Sequence, residues 1–331
     1  MKKIVIAAIC GLLAACSGGE EAEAPAKAGA TQTIRFATDW RAQAEQGGFY
    51  QALATSEYAK RGLDVKIIQG GPAVNVPQLL AAGAVDMGIG SNSFIPLNMA
   101  REGVPVRAVA ATMQKDPQVL IAHPGQGIAS IADMKGHAML LSDASRSGWW
   151  LWLKAKYGFS DDQVRSYSSS TATFLANKGA VQQGYATSEP YTIEKEAGFK
   201  PQVFLLADEG YPGYAAMILA TDKLISENPE AVKAFVEATA AGWKSYLHGD
   251  PKPGDALIRK DNPDMPQDLL DQARDKIRSY GLVESGDAVA LGIGAMTDAR
   301  WETFFKTGVQ QGIYPADLDY KTAYTLQFLE K

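Results

Sequence analysis

Residues 63–93 read LDVKIIQGGPAVNVPQLLAAGAVDMGIGSNS. The stretch starts with a β-rich run at 63–69 and passes through a short apolar helix at 76–82, which Gly83 ends. It returns to an apolar run at 85–89 before a small polar turn. A strand, a helix and a strand in close succession are typical of a parallel βαβ unit. This stretch therefore predicts an α/β fold.

The same alternation extends over most of the chain. Before this unit, residues 33–38 favour a strand and residues 47–61 favour a helix. A second β/α series follows Asp116-Pro117, and from Asp222 onward nearly every segment has helical spacing, including 229–247, 266–280, 298–307 and 320–328. Two α/β series and a helical return favour two lobes, each a mixed or parallel sheet flanked by helices, over one doubly wound sheet. We predict lobe 1 from residues 33–120 and 218–331, and lobe 2 from residues 121–217.

The N-terminus has the features of an export signal. Lys2 and Lys3 precede an apolar run at 4–15, which is shorter than the ~20 residues that a membrane-spanning helix needs. Residues 13–16 read LAAC and resemble the lipobox of bacterial lipoproteins, which implies cleavage after residue 15 and lipidation of Cys16. An ordinary signal peptide or a buried apolar helix are the alternatives. Residues 16–32 are small and acidic, which predicts a flexible tether between a membrane and an extracytoplasmic body.

Composition excludes several classes of protein. Cleavage removes Cys10 and lipidation occupies Cys16, so the body has no thiol for catalysis, metal binding or a disulfide. Loss of Lys2 and Lys3 leaves 30 basic against 37 acidic residues, a formal charge of −7, and no basic run suits nucleic acid. The three histidines are scattered, and neither GxSxG nor GxxxxGK[ST] occurs. We therefore predict no catalytic residue, no metal and no cofactor.

Several segments together are similar to the solute-binding proteins of ABC importers. They are FATDWRAQAEQGGFY at 36–50, LLAAGAVDMGIGSNS at 79–93, IADMKG at 131–136, QQGYATSEPY at 182–191 and the C-terminal stretch that starts at Trp301. The group that they resemble contains binders of thiamine-pyrimidine precursors, taurine or alkanesulfonates, and nitrate. Two features depart from its pattern: residues 183–187 lack a second acidic turn residue, and Gln46-Gly47 stands where pyrimidine binders often carry a histidine.

This resemblance implies a type II periplasmic-binding-protein fold whose two lobes close on a ligand. It also implies a monomer that binds a small molecule and docks on an ABC permease with its ATPase. The ligand is then a small solute that is either flat and nitrogenous, such as a pyrimidine, or anionic. Two alternatives stay open. One is an enzyme that makes the thiamine pyrimidine from pyridoxal phosphate and iron, and the other is a ligand sensor without transport.

Candidate ligand-binding residues follow predicted strands and precede predicted helices, because ligands of open α/β sheets bind at the carboxyl ends of the strands. Asp39 could accept a hydrogen bond from a ring amine while Trp40 stacks on the ring, and Arg146 could pair with an anion. The alternative interpretation of each site is a turn, a helix cap or core packing. The resemblance adds the helix start at Phe49 and Tyr50. The full predicted set is Asp39, Trp40, Phe49, Tyr50, Ser91, Asn92, Ser93, Ser145, Arg146, Trp149, Thr187, Glu189, Tyr191 and Tyr214.

Overall fold

Two mixed five-stranded sheets organise the computed structural model of this chain, which describes residues 31–329 except 72–73 and 168–169. The lipidation prediction at Cys16 and the signal peptide lie outside the described residues. The described strands are β1 (Gln32–Ala37), β2 (Leu63–Ile68), β3 (Met87–Asn92), β4 (Val106–Met113), β5 (Gln118–Ala122), β6 (Met139–Leu141), β7 (Val164–Ser166), β8 (Val181–Tyr185), β9 (Gln202–Leu205) and β10 (Ala215–Thr221).

The first sheet has the strand order β2-β1-β3-β10-β4. Strand β1 pairs in parallel with β2 and β3, whereas β10 is antiparallel to both of its neighbours. The second sheet has the order β7-β6-β8-β5-β9, in which β5 is the antiparallel strand. We call each sheet with its flanking helices a lobe. The predicted α/β architecture of two mixed sheets is confirmed, and a single doubly wound sheet is excluded.

Helices cover both sheets. Those described are α1 (Gly47–Ala54), α2 (Val76–Ala81), α3 (Phe94–Arg101), α4 (Asp143–Arg146), α5 (Trp149–Tyr157), α6 (Ala172–Ala176), α7 (Glu189–Ala197), α8 (Asp222–Glu227), α9 (Pro229–His248), α10 (Lys252–Asp261), α11 (Gln267–Ser279), α12 (Ala288–Leu291) and α13 (Asp298–Gln310). Helices α9 and α10 pack on α1, so the helical return is attached to lobe 1.

The chain passes between the sheets twice, at residues 114–117 and 206–214. The predicted lobe boundaries at 120 and 217 fall inside β5 and β10. Both strands are apolar and continuous, and only sheet pairing shows that β5 lies wholly in the second sheet and β10 in the first. The described part of the tether prediction is also one residue too long, because β1 begins at Gln32.

Two predicted helices are shorter in the structure. The helix expected over 47–61 ends at Ala54, and the backbone of Ser56 has a φ of 60°, which an α-helix cannot contain. The helix expected over 320–328 is one short 3-10 turn at Tyr320–Ala323, followed by a β-bridge from Tyr324 to Ala108. Its apolar residues have helical spacing, but the 3-10 turn packs on α3 and β4, and the chain then continues through the bridge into a further turn.

A hydrophobic core connects the two lobes. One cluster contains Phe94 of α3, Trp149 and Trp152 of α5, and Phe304 of α13. A separate cluster fills lobe 1 between β1 and α9, where Phe36 contacts Phe49 with ring centroids 4.8 Å apart. In the part of the chain that the structure describes, no helix is both long enough and apolar enough to cross a membrane.

Candidate functional site

The carboxyl ends of β1 and β3 bring two predicted residues together. Because these strands are parallel neighbours, Asp39 after β1 lies beside Ser91 near the end of β3. The Ser91 hydroxyl donates a 2.6 Å hydrogen bond to Asp39 Oδ2. Burial raises the pKa of the Asp39 carboxyl, and the hydrogen bonds from Ser91 and Gln46 oppose that rise. Asp39 is therefore a partly buried acceptor at the edge of the first sheet.

Glu45 reaches from lobe 1 to lobe 2. It lies in a short 3-10 helix, Ala44–Gln46, and is only 3% exposed. Its carboxylate accepts a hydrogen bond from the hydroxyl of Thr187, a fully buried residue that follows β8. Burial raises the pKa of Glu45 to about 7, and the charges of Glu189 and Asp39 raise it further against the hydrogen bond from Thr187. This contact joins the two lobes through a buried carboxyl group.

Close helix packing fixes the position of Glu45. The short helix that carries it leads directly into α1, whose start packs on α9. A Cβ atom at Gly48 would lie 2.2 Å from the Trp243 ring, and one at Gly242 would lie 2.2 Å from the Gly48 carbonyl. The two glycines let the helix backbones touch, which fixes the first turn of α1 on α9 and so positions the adjacent Glu45.

Asp116 supplies a third desolvated carboxyl group at the first passage between the lobes. It is 0% exposed, and its Oδ1 accepts a 3.0 Å hydrogen bond from the Gln118 backbone N–H. Its Oδ2 has no hydrogen-bond partner among the described residues. Burial raises the pKa of Asp116 to about 7, with a smaller contribution from the charge of Asp39. The unpartnered oxygen is an acceptor available to a bound molecule.

Tyr185 lies among these acids. It ends β8, where it pairs with Gln118 of β5. Burial raises its pKa well above the ordinary value, and the charges of Asp39, Asp116 and Glu45 raise it further. Carboxylates of lobe 1 and of the connecting segment therefore act electrostatically on the same tyrosine. We name the region formed by Asp39, Glu45, Asp116 and Tyr185 the acidic cleft.

Glu189 stands at the border of the acidic cleft and is already hydrogen bonded. Its Oε2 accepts from the Tyr185 backbone N–H at 2.7 Å and from the Ser188 hydroxyl at 2.6 Å. Its Oε1 accepts from the Tyr167 hydroxyl at 3.3 Å. A Cβ atom at Gly184 would lie 3.0 Å from the Glu189 Cβ, so glycine there makes room for this carboxylate. Glu189 starts α7 and adds negative potential without a free acceptor of its own.

Among the described residues, the protein supplies no counter-cation in direct contact with the carboxylates of the acidic cleft. Within the described ranges, no Lys, Arg or His nitrogen lies within 4 Å of the carboxylates of Asp39, Glu45 or Asp116. In the same ranges, no group of three His, Cys, Asp or Glu side chains is arranged to hold a metal ion. The described part of the cleft is therefore a set of acceptors without a charged donor, although buried polar groups are normally paired.

Comparison with known proteins assigns the family. A family model described as NMT1/THI5 like matches residues 43–253, more than half of the chain. The chain belongs to the NMT1/THI5-like family. The matched range contains Glu45, Asp116 and Tyr185 of the acidic cleft and every residue predicted for the site except Asp39 and Trp40.

Curated relatives of this NMT1/THI5-like protein include both binders and enzymes. A riboflavin-binding protein, RibY, of Chloroflexus aurantiacus is 24% identical over 318 residues, which cover 93% of this chain and 89% of RibY. A 4-amino-5-hydroxymethyl-2-methylpyrimidine phosphate synthase of Candida albicans is 24% identical and covers 72% of this chain and 74% of the synthase. Among solved structures, the periplasmic aliphatic sulphonate binding protein SsuA of Escherichia coli matches with a TM-score of 0.66 at 14% identity, covering 88% of this chain and 91% of SsuA. The last match confirms the predicted periplasmic-binding-protein fold.

Further predicted residues of the NMT1/THI5-like protein lie near the cleft with local roles. Asn92 caps α3 through the Phe94 N–H, and Ser93 exchanges hydrogen bonds with the Tyr214 backbone. Trp40 is partly exposed beside Asp39. Tyr191 lies at the rim, where its hydroxyl donates a 2.8 Å hydrogen bond to Asp268.

Four predicted aromatic residues have local packing or hydrogen-bonding roles in the structure, and their part in ligand binding stays a prediction. Phe49 and Trp149 are fully buried in hydrophobic clusters, because the helix faces that carry them pack on a sheet. The Tyr50 hydroxyl donates to Asp261, and the Tyr214 hydroxyl donates to Asp287. All four side chains therefore pack in the hydrophobic core or form hydrogen bonds at its border.

The predicted anion site is also occupied by local contacts. Arg146 is exposed, its nearest carboxylate is that of Asp143 at 3.5 Å, and its charge also acts on Asp161. The neighbouring Ser145 hydroxyl lies 3.0 Å from that of Ser142, whose oxygen caps α4. These residues form a helix start on lobe 2 and do not contribute charge to the acidic cleft.

Sequence patterns missed Glu45, Asp116, Gln118 and Tyr185. Glu45 and Tyr185 had no pattern that distinguished them from surface residues. Asp116 had a weak signal, since it precedes Pro117 between two apolar strands where a charge is unexpected. Only the meeting of the two sheets identifies these four residues as neighbours.

Proposed function

We propose that this chain is the lipid-anchored solute-binding component of an ABC importer, and that a small, flat, nitrogen-containing solute binds in the acidic cleft. The observation that carries the proposal is the set of desolvated acceptors where the strand ends of the two lobes meet. Ligands of open α/β sheets bind at this position, and hinge closure around a ligand is the usual motion of such folds. The lobes then deliver the solute to a permease.

Trp40 supports a flat solute. It follows Asp39 directly, is partly exposed and belongs to none of the hydrophobic clusters of the described residues. An indole in that place can stack on a ring while Asp39 accepts a hydrogen bond from a ring amine. The names of two relatives point the same way, since riboflavin and an aminopyrimidine are both flat nitrogen heterocycles.

The acidic cleft favours a nitrogenous solute over an anionic one. A sulfonate or carboxylate placed among these three acidic groups would meet repulsion, and no basic nitrogen of the described residues lies within 4 Å of them to offset it. The sulphonate-binding likeness of SsuA applies to the fold at 14% identity. Of the two ligand classes that the sequence predicts, we therefore propose the nitrogenous class.

The support for the importer role and for the lipid anchor comes from the sequence. The apolar run at 4–15 and the LAAC at 13–16 predict an exported chain that is lipidated at Cys16. A tethered extracytoplasmic monomer near a membrane can capture a solute and meet a permease in the same bilayer. A sensor would need the same cleft, and a permease and an ATPase encoded beside this chain would favour import.

Ligand identification tests the proposal. Full-length chain, purified gently in detergent, is studied by native mass spectrometry for a solute that is lost on unfolding. Calorimetric titration then compares 4-amino-5-hydroxymethyl-2-methylpyrimidine, riboflavin and an alkanesulfonate. We expect an aromatic nitrogen heterocycle to bind and the sulfonate not to bind.

The variant Asp39→Asn makes the titration specific to the site. Loss of a charge-assisted hydrogen bond of about 1.5–3 kcal/mol weakens binding of the heterocycle by about 10- to 100-fold. Asp64→Asn is the matched control, because Asp64 is a half-exposed residue of β2 that pairs with Lys66. Unchanged affinity in Asp39→Asn, or binding of the sulfonate alone, would reject the proposal.

A synthase activity is the second candidate, because one relative is a pyrimidine phosphate synthase. The body of this chain lacks cysteine, and the chain has a predicted export signal. We propose that it is not an enzyme. Incubation of the purified chain with pyridoxal phosphate and iron, followed by mass spectrometry, should give no pyrimidine phosphate, and formation of that product would reverse the assignment.

A further inference from the structure

The unpartnered buried atoms at the acidic cleft are mainly acceptors. Asp116 Oδ2 and Gln118 Oε1 have no hydrogen-bond partner in the described part of the chain, and their residues are 0% and 8% exposed. The Tyr211 hydroxyl is also unpartnered, in a residue that is 3% exposed, and the charge of Asp116 acts on it. An ionised carboxylate oxygen and an amide oxygen can only accept. A molecule that satisfies them must therefore present several hydrogen-bond donors, either N–H or O–H groups.

The charges in the cleft have one sign. Asp39 acts on both Glu45 and Asp116, and Glu189 acts on Glu45. A neutral ligand could satisfy the acceptors but would leave this repulsion in place. A positive charge between the carboxylates would compensate it, since attraction between opposite charges is strong where water is excluded.

A metal ion and a purely structural network both fit the cleft less well. A metal ion would need three ligands within coordination distance, and among residues 31–329 outside the two short gaps no such trio exists. A structural hydrogen-bond network would leave few atoms unsatisfied. Here a fully buried carboxylate, that of Asp116, keeps one oxygen without a partner among the described residues.

We infer that the solute carries a positively charged nitrogen, an ammonium or amidinium group, which lies between Asp39, Glu45 and Asp116 and donates to Asp116 Oδ2 and Gln118 Oε1. This inference rests on the proposed function, because it takes the acidic cleft as the solute site. It goes further by fixing the charge of the solute. Neutral pyrimidines and flavins would then be weaker ligands than a cationic analogue of the same shape.

Two pairs of probes, matched in shape and different in charge, test the inference. The first pair is 4-amino-5-hydroxymethyl-2-methylpyrimidine and its 5-aminomethyl analogue, and the second pair is benzamide and benzamidine. Dissociation constants are measured at pH 7 by calorimetry on the full-length chain in detergent. We expect the charged member of at least one pair to bind at least tenfold more tightly than its neutral partner.

Variants connect this preference to the cleft. Asp116→Asn keeps the acceptor for the Gln118 N–H but removes the charge, so it should lower the preference for the charged probe at least tenfold. Glu45→Gln keeps an acceptor for Thr187 and should act in the same direction. Asp275→Asn is the control, because Asp275 is an exposed residue of α11 that pairs with Arg278, and it should leave the preference unchanged.

Each outcome separates the inference from the proposed function. If the two members bind equally well in both pairs, the proposed function stands and the charge inference is wrong. If benzamidine binds at least tenfold more tightly than benzamide and neither pyrimidine binds, the charge inference stands and a pyrimidine is excluded as the solute. If no probe binds, both are rejected. A charge preference that survives in both Asp116→Asn and Glu45→Gln would place the cation elsewhere and overturn the inference.

Discussion

At the scale of single residues, desolvation decides the chemistry of this protein. Glu45 and Asp116 are ordinary acids in the sequence, yet each has a pKa raised to about 7 because the fold removes them from water. Perturbed carboxyl groups in a cleft are typical of functional sites. Burial of such carboxyl groups lowers the free energy of unfolding, and binding of a complementary ligand raises it again.

The pH dependence of stability follows from the pKa of Glu45. That pKa rises from about 4.5 to about 7 on folding, so between these values the folded chain binds more protons than the unfolded chain. The contribution of Glu45 to the free energy of unfolding is therefore most favourable below pH 4.5 and falls as pH rises to about 7. Glu45→Gln should leave stability nearly unchanged at pH 5 and raise it by about 1–3 kcal/mol at pH 8.

Urea unfolding of the ligand-free wild type and Glu45→Gln at both pH values measures this effect. Glu230→Gln is a suitable control, because Glu230 is an exposed residue in the first turn of α9. An equal difference between wild type and Glu45→Gln at pH 5 and pH 8 would show that Glu45 titrates normally.

At the scale of elements, helices α7 and α11 join the lobes beside the cleft. Asp268 of α11 accepts a hydrogen bond from Tyr191 and forms an ion pair with Lys195, both on α7. Gln272 of α11 donates to the Thr187 carbonyl. These polar contacts lie next to the Glu45–Thr187 hydrogen bond, so the same helix pair can hold the cleft closed and release it when the contacts break.

Removal of the α7–α11 contact should favour the open cleft. In Asp268→Ala, we expect bound solute to dissociate a few-fold faster with little change in the association rate, because exposed ion pairs contribute modestly. High salt should also increase the dissociation rate of the solute from the wild type, because it screens the ion pair. The increase should be smaller in Asp268→Ala, which lacks that pair. Stopped-flow displacement measures the rates, with Asp275→Asn on the same helix as control. An unchanged dissociation rate would mean that α7 and α11 do not gate the cleft.

At the scale of the whole molecule, aromatic packing ties the two lobes into one folding unit. Tyr211 in the second passage lies against Phe94 of lobe 1 and Trp152 of lobe 2, with ring centroids 6.2 and 5.4 Å away. Phe304 of α13 contacts Phe94 at 5.0 Å and Tyr211 at 6.0 Å. The lobes therefore share an apolar contact at this position and meet through polar groups at the cleft, an arrangement suited to bending about the aromatic contact.

Truncation of Phe304 tests this shared core. Phe304→Ala should lower the free energy of unfolding by about 3–5 kcal/mol, because a large buried ring leaves a cavity between elements of both lobes. Unfolding should stay a single transition when followed by tryptophan fluorescence and by circular dichroism. Phe199→Ala, on lobe 2 alone, offers a comparison. Two separate transitions in the wild type would show that the lobes unfold independently.

Local sequence patterns were sufficient to predict the class of fold, and several of the predicted site residues lie around the acidic cleft. The alternation over 63–93 predicts βα units, because the apolar period and the turn residues are local properties. Asp39, Ser91, Thr187 and Glu189 were predicted as candidates because each follows a strand, and the structure places all four at or beside the acidic cleft. Local patterns identify strand ends, and strand ends meet at one edge of a sheet.

Which acids are desolvated together depends on tertiary contacts that no local pattern encodes. Glu45 and Thr187 are 142 residues apart in the chain, and no periodicity connects them. The same is true of Phe49 and Trp149, whose places in the core depend on which helix face meets a sheet. A sequence gives the number of acidic and basic residues but not the environment of each one. The pKa of Asp116, and the charge of a solute that fits beside it, depend on how much water the folded lobes exclude from the site.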